Sequence, residues 1–92
     1  MPAKLFLIPK KVEKSLTKLP LRVHKRIPEL FLQLRQNPFL GEKLHGELSG
    51  FYKYRLGDYR IVYTFDTRES RLEIVSIEHR QGAYKLRSNF YS

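Results

Sequence analysis

The chain has 92 residues, long enough for one modest hydrophobic core and too short for two, so a single domain over 1–92 is expected. Its 18 basic residues against 9 acidic ones give a formal charge of +9, which points to nucleic acid, an acidic protein or an anionic surface as partner. Cysteine is absent, which excludes a disulfide framework and thiolate metal sites, and no apolar run approaches the roughly 20 residues of a spanning helix.

The opening apolar stretch is too short for a secretory signal and no cleavage site follows it, so a cytoplasmic location with no membrane contact is expected. Residues 5–8, Leu-Phe-Leu-Ile, read as a short buried strand. Pro9 suits the first position of a helix, where its missing amide hydrogen costs nothing. Val12, Leu16 and Leu19 then recur at helical spacing, with Lys10, Lys11, Glu13 and Lys14 turned outward. Pro20 ends that segment. A second helix carries Val23, Ile27, Leu30, Phe31 and Leu34 on one side, and Pro28 inside it should kink or break it. Asn37-Pro38 stops it, and residues 39–50 form a loop with several glycines.

Two strands follow, joined by Gly57-Asp58, a two-residue turn with Gly at the first central position, as hairpins favour. Residues 66–70 make a polar turn. Residues 72–80 make a last strand with apolar residues on both faces, the pattern of a central strand covered on both sides. A short basic and aromatic tail, 81–92, closes the chain with one or two helical turns. The expected fold is α+β: an antiparallel sheet built from the N-terminal strand and a three-strand meander, with two N-terminal helices packed on one face and a short C-terminal tail.

Closing the hairpin sets Leu56 opposite Tyr59, Arg55 opposite Arg60, Tyr54 opposite Ile61 and Lys53 opposite Val62. Side chains alternate between sheet faces, so Tyr52, Tyr54, Leu56, Tyr59, Ile61 and Tyr63 share one face while Lys53, Arg55 and Arg60 share the other. Like charges directly opposite one another destabilise a hairpin. Arg55 facing Arg60 is best explained by an anion between them, and phosphate matches the guanidinium fork. The last strand would bring His79, Arg80 and Tyr84 to its end, with Arg80 approaching the other cations.

Such a cluster suits a phosphodiester. Adjacent positive charge and partial desolvation loosen a lysine's hold on its proton, which can make it a usable base. Cleavage by the RNA's own 2′-hydroxyl requires a proton taken from that hydroxyl, stabilisation of the charge building at phosphorus, and a proton given to the departing 5′ oxygen. Cations can supply the electrostatics, and no cofactor or metal is implied. The competing reading is plain: Lys and Arg on a half-exposed strand are ordinarily just solvated, and a tyrosine such as Tyr84 ordinarily packs. His24 reads as a surface residue. His45, in a Gly-bracketed loop, could reach a ligand, though surface histidines are commoner, and His79 could simply support Arg80. The hairpin tyrosines read as core rather than as a base-stacking platform, because they share a face with Leu56 and Ile61. No carboxylate pair, Gly-rich phosphate loop or zinc spacing is present.

The run 44–63, from Leu44-His45-Gly46-Glu47-Leu48-Ser49-Gly50 through Lys53, Arg55 and Gly57-Asp58-Tyr59-Arg60 to Tyr63, resembles the core of the RelE/ParE toxin superfamily. The ending Ile77-Glu78-His79-Arg80 followed by Tyr84 resembles that family's closing signature, and the likeness covers nearly the whole chain. It is closest to the RelE branch, whose members cut mRNA in the ribosomal A site and are silenced by a cognate antitoxin. That resemblance implies roles: Lys53 activating the 2′-hydroxyl, Arg55 aiding that step or the charge stabilisation, Arg60 on the scissile phosphate, Arg80 at the leaving group, and Tyr84 orienting a base. His79 and His45 are lesser candidates for substrate binding. It also implies an antitoxin partner with an acidic, partly disordered segment, besides mRNA and the ribosome. The rivals are a ParE-like protein acting on DNA gyrase, whose branch generally lacks the Arg80 and Tyr84 ending, and a non-catalytic homologue that only binds its antitoxin or nucleic acid. Glu78 departs from the Gly of many relatives, Gly82-Ala83 replaces bulkier or acidic residues, and Pro28 is unusual in the second helix.

Overall fold

Residues 2–79 are described by the computed structural model, and they follow the expected α+β order. In chain order the elements are β1 (Leu5–Leu7), α1 (Lys10–Thr17), α2 (Leu21–His24), α3 (Ile27–Gln36), β2 (Glu42–Lys43), a 3₁₀ turn at Gly46–Leu48, β3 (Phe51–Leu56), β4 (Tyr59–Asp66) and β5 (Arg71–His79). The expected tail, 81–92, lies outside the described residues.

Pro28 breaks the second helix instead of bending it. α2 ends at His24, and α3 restarts at Ile27 with Pro28 in its first turn, where no intrahelical donor is needed. Val23, Ile27, Leu30 and Leu34 nonetheless keep to one side, and all are buried.

The five strands form one sheet in the order β1-β5-β4-β3-β2. Two features differ from the expected antiparallel sheet. β1 runs parallel to β5, with Leu5 beside Arg71 and Leu7 beside Glu73. The chain leaves β1 through the helices and re-enters at the far side of the sheet, and a long crossover of this kind permits a parallel return. β1 is also an edge strand, so it is not buried as expected: Leu5 and Leu7 are 48% and 40% exposed, and Phe6 alone of the three packs inward, 5.3 Å from the Phe31 ring. The second difference is β2, a two-residue strand within what reads as loop, pairing Glu42 with Lys53 and Lys43 with Tyr52.

Val12, Val23, Ile27, Leu30 and Leu34 from the helices pack against Tyr52, Leu56, Ile61, Tyr63, Phe65, Leu72 and Ile74 from the sheet. The helices α1–α3 thus cover one sheet face, and the opposite face carries the alternate side chains of β3 and β4. The N-terminal segment is tied to this body at two places. Arg35 Nε donates to the Ala3 carbonyl at 3.3 Å, and Ser70, held at φ 53, accepts the Lys4 amide on its hydroxyl at 3.1 Å.

Leu34 is fully buried while Leu32, two residues earlier on the same helix, is 56% exposed. Leu34→Ala is expected to cost about 2–5 kcal/mol and Leu32→Ala less than about 0.5 kcal/mol, read from urea unfolding midpoints.

Candidate functional site

Strands β3 and β4 close through Gly57-Asp58 in the register that the alternation predicts: Leu56 opposite Tyr59, Arg55 opposite Arg60, Tyr54 opposite Ile61 and Lys53 opposite Val62. Gly57 has φ 61, and the positive value falls on it and not on Asp58, which is the type II′ pattern suited to the strand twist. Tyr52, Leu56, Ile61 and Tyr63 consequently enter the core, and Lys53, Arg55 and Arg60 emerge on the face opposite α1–α3.

On that face a cleft of about 520 Å³ is lined by Leu40, Gly41, Glu42, Lys53, Tyr54, Arg55 and Arg60. Its size falls in the range of roughly 300–1,000 Å³ typical of small-ligand sites. Three cations and one carboxylate give it a net positive charge. Arg55 and Arg60 continue the lining toward the hairpin tip, where Gly57, Asp58 and Tyr59 complete a smaller recess. Two guanidinium groups thus meet at one cross-strand position, with Glu78 on the far side of Arg60.

Glu42 is the cleft residue that sequence reasoning missed. β2 brings it beside Lys53, with Oε1 3.4 Å from Nζ. A carboxylate here can hold the ammonium in place or accept a proton from a group between them. No sequence periodicity marks a two-residue strand, and residues 39–50 read as loop, so nothing in the sequence pointed to Glu42.

The cleft wall that carries Glu42 is pinned from beneath. The Tyr63 hydroxyl, fully buried, accepts the Gly41 amide at 2.8 Å and donates to the Pro38 carbonyl at 2.8 Å. Burial pushes the Tyr63 phenol up to about 12, partly offset by the Gly41 hydrogen bond.

The other sequence candidates fall elsewhere. His79 pairs with Tyr59 in register and meets its ring edge-on at 5.0 Å. Alternation therefore sets His79 on the helix-side face with Tyr59, not with Lys53, Arg55 and Arg60. His45 is exposed at the start of the 3₁₀ turn and does not line the cleft. Arg80 and Tyr84 lie outside the described residues. Glu78 is on the cationic face, opposite Arg60, 8% exposed, and accepts the Ser76 hydroxyl at 3.0 Å. Among the described residues, no group of three or more His, Asp or Glu side chains gathers as metal ligands would.

Comparison with known proteins bears on the family and the fold. The family described as "ParE toxin of type II toxin-antitoxin system, parDE" matches residues 6–84. A curated relative, toxin RelE of Mycobacterium tuberculosis, is 36% identical over 75 residues, covering 79% of this chain and 77% of its own length. The solved toxin–antitoxin complex RelBE2 of the same organism superposes with a TM-score of 0.76 at 28% identity, covering 87% of this chain and all of that one. The isolated RelE toxin of E. coli superposes at 0.71 over 96% of this chain and 98% of that one, at 19% identity, a likeness of fold.

The buried Tyr63 phenol yields an alkaline signature. In the unfolded chain it ionises near 10 and in the fold at about 12, so between those values the native state keeps a proton that the unfolded state has lost. This contribution to stability is complete below pH 10 and is lost as pH rises through about 12. Phenolate absorbance is expected to show one tyrosine ionising about two pH units late, and Tyr63→Phe should delete that step.

Proposed function

This chain belongs to the RelE/ParE superfamily of type II toxin–antitoxin toxins, and on that premise we propose that it is an endoribonuclease that cuts mRNA in the ribosomal A site and so blocks translation. The observation that carries the proposal is the cross-strand Arg55 and Arg60 pair sharing one cleft with Lys53. Opposing two arginines is costly on a solvated strand face, and the single negative charge of a phosphodiester between them offsets that repulsion.

In the proposed reaction Lys53 activates the 2′-hydroxyl, whose proton passes to solvent, and the departing 5′ oxygen takes a proton from solvent in return. The 2′ oxygen attacks the adjacent phosphorus, the bond to the 5′ oxygen breaks, and the products are a cyclic phosphate and a free 5′-hydroxyl. Arg60 holds the scissile phosphate, and Arg55 adds to stabilisation of the charge that develops on it. Arg80 is assigned to the leaving group and Tyr84 to orienting the base. Both assignments rest on the sequence resemblance. The nucleophile comes from the substrate, so the protein's task is placement and electrostatics.

The rival reading takes its support from the matched family's description as a ParE toxin: action on DNA gyrase without RNA cleavage. Inhibition of supercoiling by the purified protein, with mRNA left intact, would favour it. The antitoxin partner is proposed from the neighbouring toxin–antitoxin complexes, and the +9 charge suits an acidic segment that folds onto the toxin. Action on translating ribosomes goes with a cytoplasmic location.

Translating ribosomes incubated with the protein should yield new 5′ ends inside codons of the mRNA. Arg60→Ala and Arg80→Ala should each lower the cleavage rate about 10²–10³-fold, as loss of one transition-state contact does. Wild-type rates in both variants would overturn the site. Antitoxin affinity should fall steeply between low and physiological salt in titration calorimetry; a salt-independent affinity would contradict the electrostatic part of the interaction.

A further inference from the structure

We infer that Tyr63 is a positioning residue for the cleft: its hydroxyl fixes the segment from Pro38 to Gly41 so that Glu42 stands against Lys53. The kinetic part of this inference rests on the endoribonuclease reading; the geometric part does not.

Tyr63 is fully buried, and for packing alone a phenylalanine would serve, since its ring already stacks on Tyr52 at 5.3 Å. A buried hydroxyl needs partners. Both partners of this one belong to a single stretch of backbone, the Pro38 carbonyl and the Gly41 amide, 25 and 22 residues away in sequence. That stretch forms the wall of the cleft: Leu40, Gly41 and Glu42 are lining residues.

Gly41 shows how tightly the wall is seated. A Cβ there would stand 2.7 Å from the Lys53 carbonyl oxygen and 2.7 Å from the Tyr63 hydroxyl. The requirement is for space rather than for an unusual backbone angle, since the glycines with positive φ are Gly46, Gly50 and Gly57. The segment thus lies directly on the β3 backbone at the residue whose side chain faces the cleft.

β2 is two residues long, and strands so short rarely hold themselves in place. The Glu42 side chain is 72% exposed, and an exposed ion pair does not fix a geometry either. The tyrosine supplies the rigidity that both lack. With the wall fixed, Glu42 is the counter-ion of Lys53 while the cleft is empty, and an incoming phosphodiester takes over that role. Tyr63 acts on the lysine through the loop and touches no substrate.

A double-mutant cycle tests this on the full chain. Tyr63→Phe should fold cooperatively, lower the single-turnover cleavage rate on translating ribosomes on the order of 10-fold or more, and leave the half-saturating ribosome concentration unchanged. In a Glu42→Gln background the same substitution should have little further effect, because the group it positions has already been altered. An equal fold-loss in both backgrounds, or no loss in either, would overturn the inference. Should Tyr63→Phe fail to fold, Gly41→Ala displaces the same wall and should show the same coupling to Glu42→Gln.

A wild-type protein that cuts no mRNA would refute the nuclease reading alone. The positioning would then be decided by NMR of the Lys53 ammonium, whose signal should shift in Tyr63→Phe toward its position in Glu42→Gln. An ammonium signal unmoved by Tyr63→Phe would overturn the positioning whatever the protein cleaves.

Discussion

The facing of Arg55 and Arg60 across the β3–β4 hairpin is the constraint around which the rest of the molecule is arranged. Two guanidinium groups at one cross-strand position repel each other, and the hairpin must be held by other means. Burial on the opposite face is one such means. Leu56, Ile61, Tyr52 and Tyr63 alternate with the cations and are buried against Val23, Ile27, Leu30 and Leu34. Because the side-chain period of a strand is two, a slip of one residue would exchange the faces, exposing the tyrosines and burying the arginines. Core burial therefore secures the register, and the register places like charges together where the hairpin alone would not.

The two faces are also linked at the sheet edge. Tyr63 belongs to the core by its ring and to the cleft by its hydroxyl, which reaches the loop ahead of β2. That loop crosses to the cationic face and delivers Glu42 to Lys53. The carboxylate is distant from the core, yet its placement depends on a core tyrosine and on the missing side chain of Gly41. In small proteins a single packed body has to serve both stability and the site, and Tyr63 is the residue where the two uses meet.

The layer of helices and the cleft lie on opposite faces of the sheet. The break at Pro28 shortens α2 to four residues but leaves the inward row of Val23, Ile27, Leu30 and Leu34 in place. What it changes is the outer surface around Lys25 and Arg26, away from the cleft. Glu78, by contrast, sits beside Arg60 on the cationic face, where a buried carboxylate alters the charge near a phosphate ligand.

Whatever follows from local rules was readable in the chain alone. Gly57-Asp58 set the turn, strict alternation set which residues share a face, and the prolines set where helices start and stop, so the cationic trio Lys53, Arg55 and Arg60 was legible before any coordinates. Tertiary structure decided whatever depends on partners remote in the chain. β1 lies parallel at an edge because the helices carry the chain across the sheet, and Leu5 and Leu7 stay exposed for that reason. His79, adjacent to Arg80 in sequence, is turned to the helix side because its register partner is Tyr59. Glu42 reaches Lys53 through a two-residue strand whose preceding loop is held down by a buried hydroxyl more than 20 residues away. Alternation and turn chemistry are written in neighbouring residues; the pairing of a two-residue strand and the reach of one tyrosine are fixed only when distant segments pack.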